Sequence, residues 1–320
     1  MAEIAQWQLR PRWPSEQAFQ ALYRGIHGLG LSAPKTVACL RGLRSITQWS
    51  EVRARVDAAR RLGAFEDDRA KRAKADGFCK IAPGALPGAE AAIQVCRDLS
   101  AATRDQQNQV YNSSGYGDAA FYREILTGLD FLRYPALVDF LTSEPLIRSI
   151  AGYLGGIPWL TQLILVRTSP NELEIGSQRF HFDHNDTRIV KFFVAVEDID
   201  ADTGPTAFLS LPDSETVKQK LGRAARKRMK DERIFAAVPR ERLQVMTGPS
   251  GFSYMVDTCR CAHYGGRRNK RERLVMIANY NEVVVPRIGD EGETVSVRPV
   301  EIPGRTLTPL QQMVLRLDPR

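Results

Sequence analysis

Histidine is scarce in this chain, with four among 320 residues, so any site built from imidazoles draws on a very small pool. Cysteine offers no scaffold either. Cys39, Cys79, Cys96, Cys259 and Cys261 are odd in number and lack the paired spacing of a zinc ribbon. That argues against a disulfide framework and fits free thiols in a reducing compartment. Long apolar runs are missing as well. The longest, around residues 159–166, is far too short to span a bilayer, and the opening Met1-Ala2-Glu3-Ile4 has no secretory-signal character. The expectation is a cytoplasmic protein without a membrane partner. There is no internal repeat and no low-complexity tract.

What remains is the composition of a soluble globular protein, 43% hydrophobic and 26% charged, long enough for one large or two ordinary domains. The net charge of +8 favours an anionic partner without naming one. Much of the excess is local. Arg223, Arg226, Lys227, Arg228, Lys230 and Arg233 crowd one segment, and Arg267, Arg268, Lys270, Arg271 and Arg273 crowd another. No aromatic residues interleave with them as a base-stacking platform would require, so nucleic acid is not an expected partner.

Residues 1–75 read as a helical N-terminal extension, with Ser15 able to cap a segment that Gly28 and Gly30 end; it also offers a surface for a homodimer. Residues 76–305 read as the main domain. Within it, helices are expected near 88–105, 118–127, 134–142 and 144–154. After Gly155-Gly156 the period changes. Residues 159–167, 188–196, 206–211, 251–257 and 273–285 are β-branched or aromatic runs bounded by Gly, Pro and Asp, as strands are. Several strands with no alternating helices imply an antiparallel barrel or jelly roll. A basic helical insertion is expected at about 213–235, and residues 306–320 form a tail with a short helix.

The chemistry sits in Phe180-His181-Phe182-Asp183-His184. A His-x-Asp pair on a strand puts both side chains on one face, and His263 can complete a set of two histidines and one carboxylate. That set is the facial triad of non-haem Fe(II) oxygenases, which leaves coordination positions open for dioxygen and a cosubstrate. Cys259 and Cys261 share strand parity with His263, but their expected role is that of small buried hydrophobes. The stretch 264–270 reads as a connection, and a hairpin about residue 268 would set Arg273 opposite His263. A guanidinium there suits the carboxylate of a 2-oxoacid; Arg271, of the same parity, is the second candidate.

In order along the chain, Asp76-Gly77-Phe78, the metal strand from Phe180 to Asp186, Val190 to Asp200, Asp202-Thr203-Gly204-Pro205, Asp257-Thr258, His263 and Arg273 resemble the phytanoyl-CoA dioxygenase family of Fe(II)/2-oxoglutarate oxygenases. The resemblance covers about residues 77–285. It implies a double-stranded β-helix (a cupin-like jelly roll), iron at His181, Asp183 and His263, 2-oxoglutarate at Arg273, and O2 as second cosubstrate. The implied reaction oxidises a substrate C–H bond with release of succinate and CO2. Because Asp183 occupies the position a halide needs in related halogenases, hydroxylation is expected, with desaturation or ring formation by the same oxidant left open. The chain departs from many relatives at Leu211-Pro212-Asp213-Ser214-Glu215 and in the basic insertion.

The expected substrate is a small-molecule metabolite of specialised biosynthesis, anionic or carrier-tethered, with Gln162, Arg167 and Lys191 as candidate contacts. His184 and Asp186 are read as loop positions. Three alternatives stay open: a nucleic-acid demethylase, a metal-dependent cupin hydrolase or isomerase without 2-oxoglutarate, and a non-catalytic jelly-roll binding protein. The first is disfavoured because Arg267-Arg268-Asn269 begins only four residues after His263.

Overall fold

The strands that carry the site have both faces covered, and this explains their nearly unbroken apolar sequences. A computed structural model describes residues 4–9, 25–26, 38–40, 42–43, 46, 48–104, 122–183, 187–282, 300–303 and 305–319. Its strands are β1 (Ile4–Leu9), β2 (Phe78–Ile81), β3 (Tyr122–Leu126), β4 (Trp159–Thr168), β5 (Ile189–Ala195), β6 (Ala207–Phe208), β7 (Gln244–Val245), β8 (Ser253–Asp257), β9 (His263–Tyr264), β10 (Arg273–Asn281), β11 (Val300–Pro303) and β12 (Leu317–Pro319). Its helices are α1 (Trp49–Arg61), α2 (Asp68–Asp76), α3 (Ala89–Ala102), α4 (Pro135–Leu141), α5 (Glu144–Leu154), α6 (Leu211–Leu221), α7 (Asp231–Ala237) and α8 (Pro309–Leu315).

A six-stranded sheet of order β2-β8-β5-β10-β4-β3 faces a smaller sheet of order β7-β6-β9. All pairings in both are antiparallel. The smaller sheet is extended by the chain around His181, which bridges His263, and by Met229, which bridges Phe180. On β10, Leu274, Met276, Ala278 and Tyr280 enter the main core with α3, α4 and α5, while Val275 joins Val166, Phe193, Tyr254 and Phe208 between the sheets. Strand alternation assigns the two sets to opposite faces. The architecture is a double-stranded β-helix with helices packed on the outer face of its larger sheet.

Several elements differ from their sequence-based expectation. Residues 122–126 form edge strand β3, not a helix, because β4 offers them a ladder and tertiary pairing overrides local propensity. The expected strand at 206–211 is cut to two residues, since Ser210 caps α6 by accepting from the Asp213 amide. The basic insertion is two helices, α6 and α7, with a 3-10 turn at Gly222–Arg226 rather than one. Most consequential, no hairpin joins β9 and β10. They lie in different sheets, Arg268 adopts a left-handed φ of 52°, and Arg273 pairs with Thr168.

The N-terminal segment contains a strand as well as helices: β1 pairs with both β11 and β12. Helix α1 is tied to the rest through Arg55, which donates to Ile157 O at 2.8 Å, Pro158 O at 3.1 Å and Met313 O at 2.9 Å. Among the described residues, no helix is long and apolar enough to cross a membrane. All five cysteines are free thiols. His27, His184 and Asp186 lie outside the described residues.

Candidate metal centre

Backbone pairing alone sets two of the three candidate ligands side by side. His181 and His263 exchange both backbone hydrogen bonds, at 2.9 and 3.0 Å, so they are directly opposite and their side chains leave the sheet on the same face. Their rings are 4.2 Å apart. Two residues on, the Asp183 amide donates to Thr258 O at 2.9 Å, which returns its carboxylate to the same face. Oδ1 of Asp183 lies 3.7 Å from His181 Nε2 and 3.9 Å from His263 Nε2, and one ligand atom from each residue falls within 4.8 Å of the others.

The tautomers are set by the backbone. Nδ1 of His181 is 2.8 Å from Arg179 O, and Nδ1 of His263 is 3.0 Å from Cys261 O. A carbonyl only accepts, so each Nδ1 carries the proton and each Nε2 presents a lone pair to the centre. Burial lowers the pKa of both rings, that of His263 to about 3. Burial pushes the Asp183 carboxyl up, but Lys191, His263 and His181 outweigh it and hold the group well below the usual carboxylate range. Lys191 Nζ sits 2.7 Å from Asp183 Oδ2, on the opposite oxygen from the histidines. Two neutral imidazoles and one carboxylate converging without a proton between them fit a divalent metal of the iron type.

Arg273 reaches the same inter-sheet space by another route. It starts β10, is 5% exposed, and donates from one amino group to Gly204 O at 3.1 Å and Thr206 Oγ1 at 3.0 Å. Thr206 shares strand parity with Phe208, which pairs with His263, so the guanidinium is anchored to the sheet that bears the triad. Gly266 makes this possible, because a Cβ there would come within 2.5 Å of Arg273 Cζ.

The remaining candidates separate. Lys191 and Gln162 lie on the inner face, both in register with Asn279, whose amide donates to Gln162 Oε1 at 3.1 Å. Arg167 is on the other face, where its guanidinium bonds Ser100 O and Oγ near the end of α3; strand parity with Leu165 takes it away from the site. Arg271 lies at the surface, paired with Asp200. Cys261 is fully buried, its thiol pushed up by burial. Sequence reasoning missed Thr206, Gly266 and Asn279. For Asn279 the signal was present, since it shares parity with Arg273 along β10.

No family model matches this sequence, and no curated protein matches it. Solved structures do. EctD from S. alaskensis with 2-oxoglutarate and 5-hydroxyectoine is similar at 13% identity and a TM-score of 0.51, over 75% of this chain and 87% of that one. Its apoform matches over the same shares at 13% identity and a TM-score of 0.50. AviO1 from Streptomyces viridochromogenes Tue57 is 17% identical over 68% of this chain and 96% of that one, with a TM-score of 0.45. The likeness to EctD establishes the fold class, and within it the chain carries a His-Asp-His cluster between the sheets.

Proposed function

We propose that this protein is an Fe(II)/2-oxoglutarate-dependent oxygenase that hydroxylates a C–H bond of a small-molecule metabolite, releasing succinate and CO2. The observation that carries the reading is the convergence of His181 Nε2, His263 Nε2 and Asp183 Oδ1, with both Nδ1 protons committed to backbone carbonyls. The fold it shares with EctD, which has been solved with 2-oxoglutarate, supports it.

His181, Asp183 and His263 would hold the iron, and Arg273 with Thr206 would receive the far carboxylate of 2-oxoglutarate. The bound iron, cosubstrate and O2 would supply the oxidative decarboxylation that is coupled to C–H oxidation. The chain's own part is positional. Lys191 keeps Asp183 ionised and turned toward the histidines, while Phe193, Phe208 and Val275 form an apolar wall that excludes water and strengthens the charge contacts of Arg273. With Asp183 present, the position that a halide would need is taken, which favours hydroxylation over chlorination.

The test is an anaerobic titration of metal-free protein with Fe(II) and 2-oxoglutarate, following the visible charge-transfer band of the chelate. The band should form in wild type, vanish in Asp183→Ala and need far more 2-oxoglutarate in Arg273→Ala. Bound metal without a band would reject the cosubstrate and favour a cupin hydrolase or isomerase.

A further inference from the structure

The basic insertion is not merely appended to the barrel; one of its residues is threaded into the row of metal ligands. Met229 N donates to Phe180 O at 2.7 Å, and the two residues form an antiparallel bridge. In that register Arg228 stands opposite His181. Cross-strand partners project from the same face with Cβ atoms about 5 Å apart, so the Arg228 side chain shares the face of His181. Burial agrees: Phe180 and Met229 enter the same apolar cluster under α6 and α7, whereas Arg228 is exposed. The row across this sheet therefore reads Arg228, His181, His263, Phe208.

Two other cations of the inter-sheet space are engaged, Lys191 with Asp183 and Arg273 with Gly204 and Thr206. Among the described residues, no carboxylate pairs with Arg228. Exposed and hydrated, the guanidinium needs no fixed partner in the resting protein, but a dication held at His181 would repel it, and an anionic group arriving with the substrate would offset that repulsion.

We infer that Arg228 binds an oxyanion of the substrate, a carboxylate or phosphate, and so fixes which carbon faces the metal from the His181 side. The inference rests on the oxygenase reading above. It makes the substrate anionic and gives the basic insertion a specificity role.

Matched probes test it: hexanoate, hexyl phosphate, hexanamide and hexanol, each titrated into protein loaded with Co(II) and 2-oxoglutarate. Ligand-observed NMR gives affinity, and paramagnetic relaxation from Co(II) gives proximity to the metal. At least one of the two anions should bind near the metal, and the two neutral probes should bind at least about tenfold more weakly, as loss of one charge-assisted contact implies. Hexanoate and hexyl phosphate then distinguish carboxylate from phosphate. Arg228→Met should weaken the preferred anion by a similar factor, Arg228→Lys should restore part of it, and Arg223→Met, in the same insertion, should change nothing.

Equal binding of the neutral probes, no binding of either anion, or an unaffected Arg228→Met would overturn the inference. So would loss of 2-oxoglutarate binding in Arg228→Met, which would make the residue part of the cosubstrate clamp. If wild type takes up no 2-oxoglutarate while the anions still bind through Arg228, the oxygenase reading fails and the anion site stands.

Discussion

Lys191 gives Asp183 a counter-charge on one oxygen and leaves the other for the centre. Replacing it with Met strands a largely buried carboxylate, which costs about 2 kcal/mol after allowing for its partial exposure. Lys191→Met should therefore lower the stability of metal-free protein by that amount in denaturant melts, and saturating Co(II) should restore most of it, because the metal substitutes for the ammonium. A loss that Co(II) leaves unchanged would mean the lysine serves packing alone. The histidines set a pH dependence of definite sign. The folded-state pKa of His263 is lowered from 6.5 to about 3, so below pH 6.5 the unfolded chain takes up a proton that the folded chain refuses. Stability of the metal-free protein should fall by about 2 kcal/mol between pH 6.5 and 5 from this group. The measurement is unfolding at both pH values in wild type and His263→Gln, and the variant should lose that part of the slope. His181 and Asp183 were legible in the sequence because His-x-Asp alternation is local, and His263 because the chain has only four histidines; Thr206 had no such signal, since its contact with Arg273 spans 67 residues and threonine is common.

At the level of elements, the strands whose two faces are both buried announced themselves, and those shaped by their neighbours did not. β4, β5, β8 and β10 are mostly apolar runs, and α5 carries its own start and stop signals: Pro145 in its first turn and Gly155 at its end with φ 98°. β3 has a sequence equally acceptable in a helix and became a strand because β4 needed an edge partner. The β9–β10 connection misled for a related reason. A glycine-bearing polar link between two apolar runs has the look of a hairpin, yet here it carries the chain from one sheet to the other. Gly266 in that link leaves room for the Arg273 guanidinium, since a Cβ there would lie 2.5 Å from its Cζ. Gly266→Ala should push the guanidinium aside and weaken 2-oxoglutarate by about tenfold or more, while Co(II) affinity in its absence stays at the wild-type value. Calorimetric titration of each ligand separates the two effects, and unchanged 2-oxoglutarate binding would remove Arg273 from the clamp.

Over the whole molecule, one apolar cluster runs from Ala59 and Ala73 through the outer face of the large sheet to Leu315 and Leu317, so the N-terminal helices and the C-terminal tail share a core with the barrel. Nothing in the sequence foretold this, because β1, β11 and β12 are short, and their pairing joins opposite ends of the chain. The polar stitching is equally long-range: Arg55 donates to three carbonyls from two distant segments, and Arg316 bonds Glu51 at 2.9 Å. A shared core and shared buried charges predict a single cooperative unfolding transition, with far-UV dichroism and tryptophan fluorescence giving coincident midpoints. Arg55→Ala would leave three carbonyls without their donor and open a gap beneath α1. It should cost about 3 kcal/mol, since a buried acceptor left without its donor costs about 1–3 kcal/mol, yet the Fe(II)/2-oxoglutarate band should survive in the folded fraction, since the candidate ligands are held by the two sheets. If the midpoints of the variant split while those of wild type coincide, the N-terminal segment unfolds as its own unit once the stitch is cut. If wild type itself shows two transitions, the segment is a separate domain and the common core does not make the two fold as one.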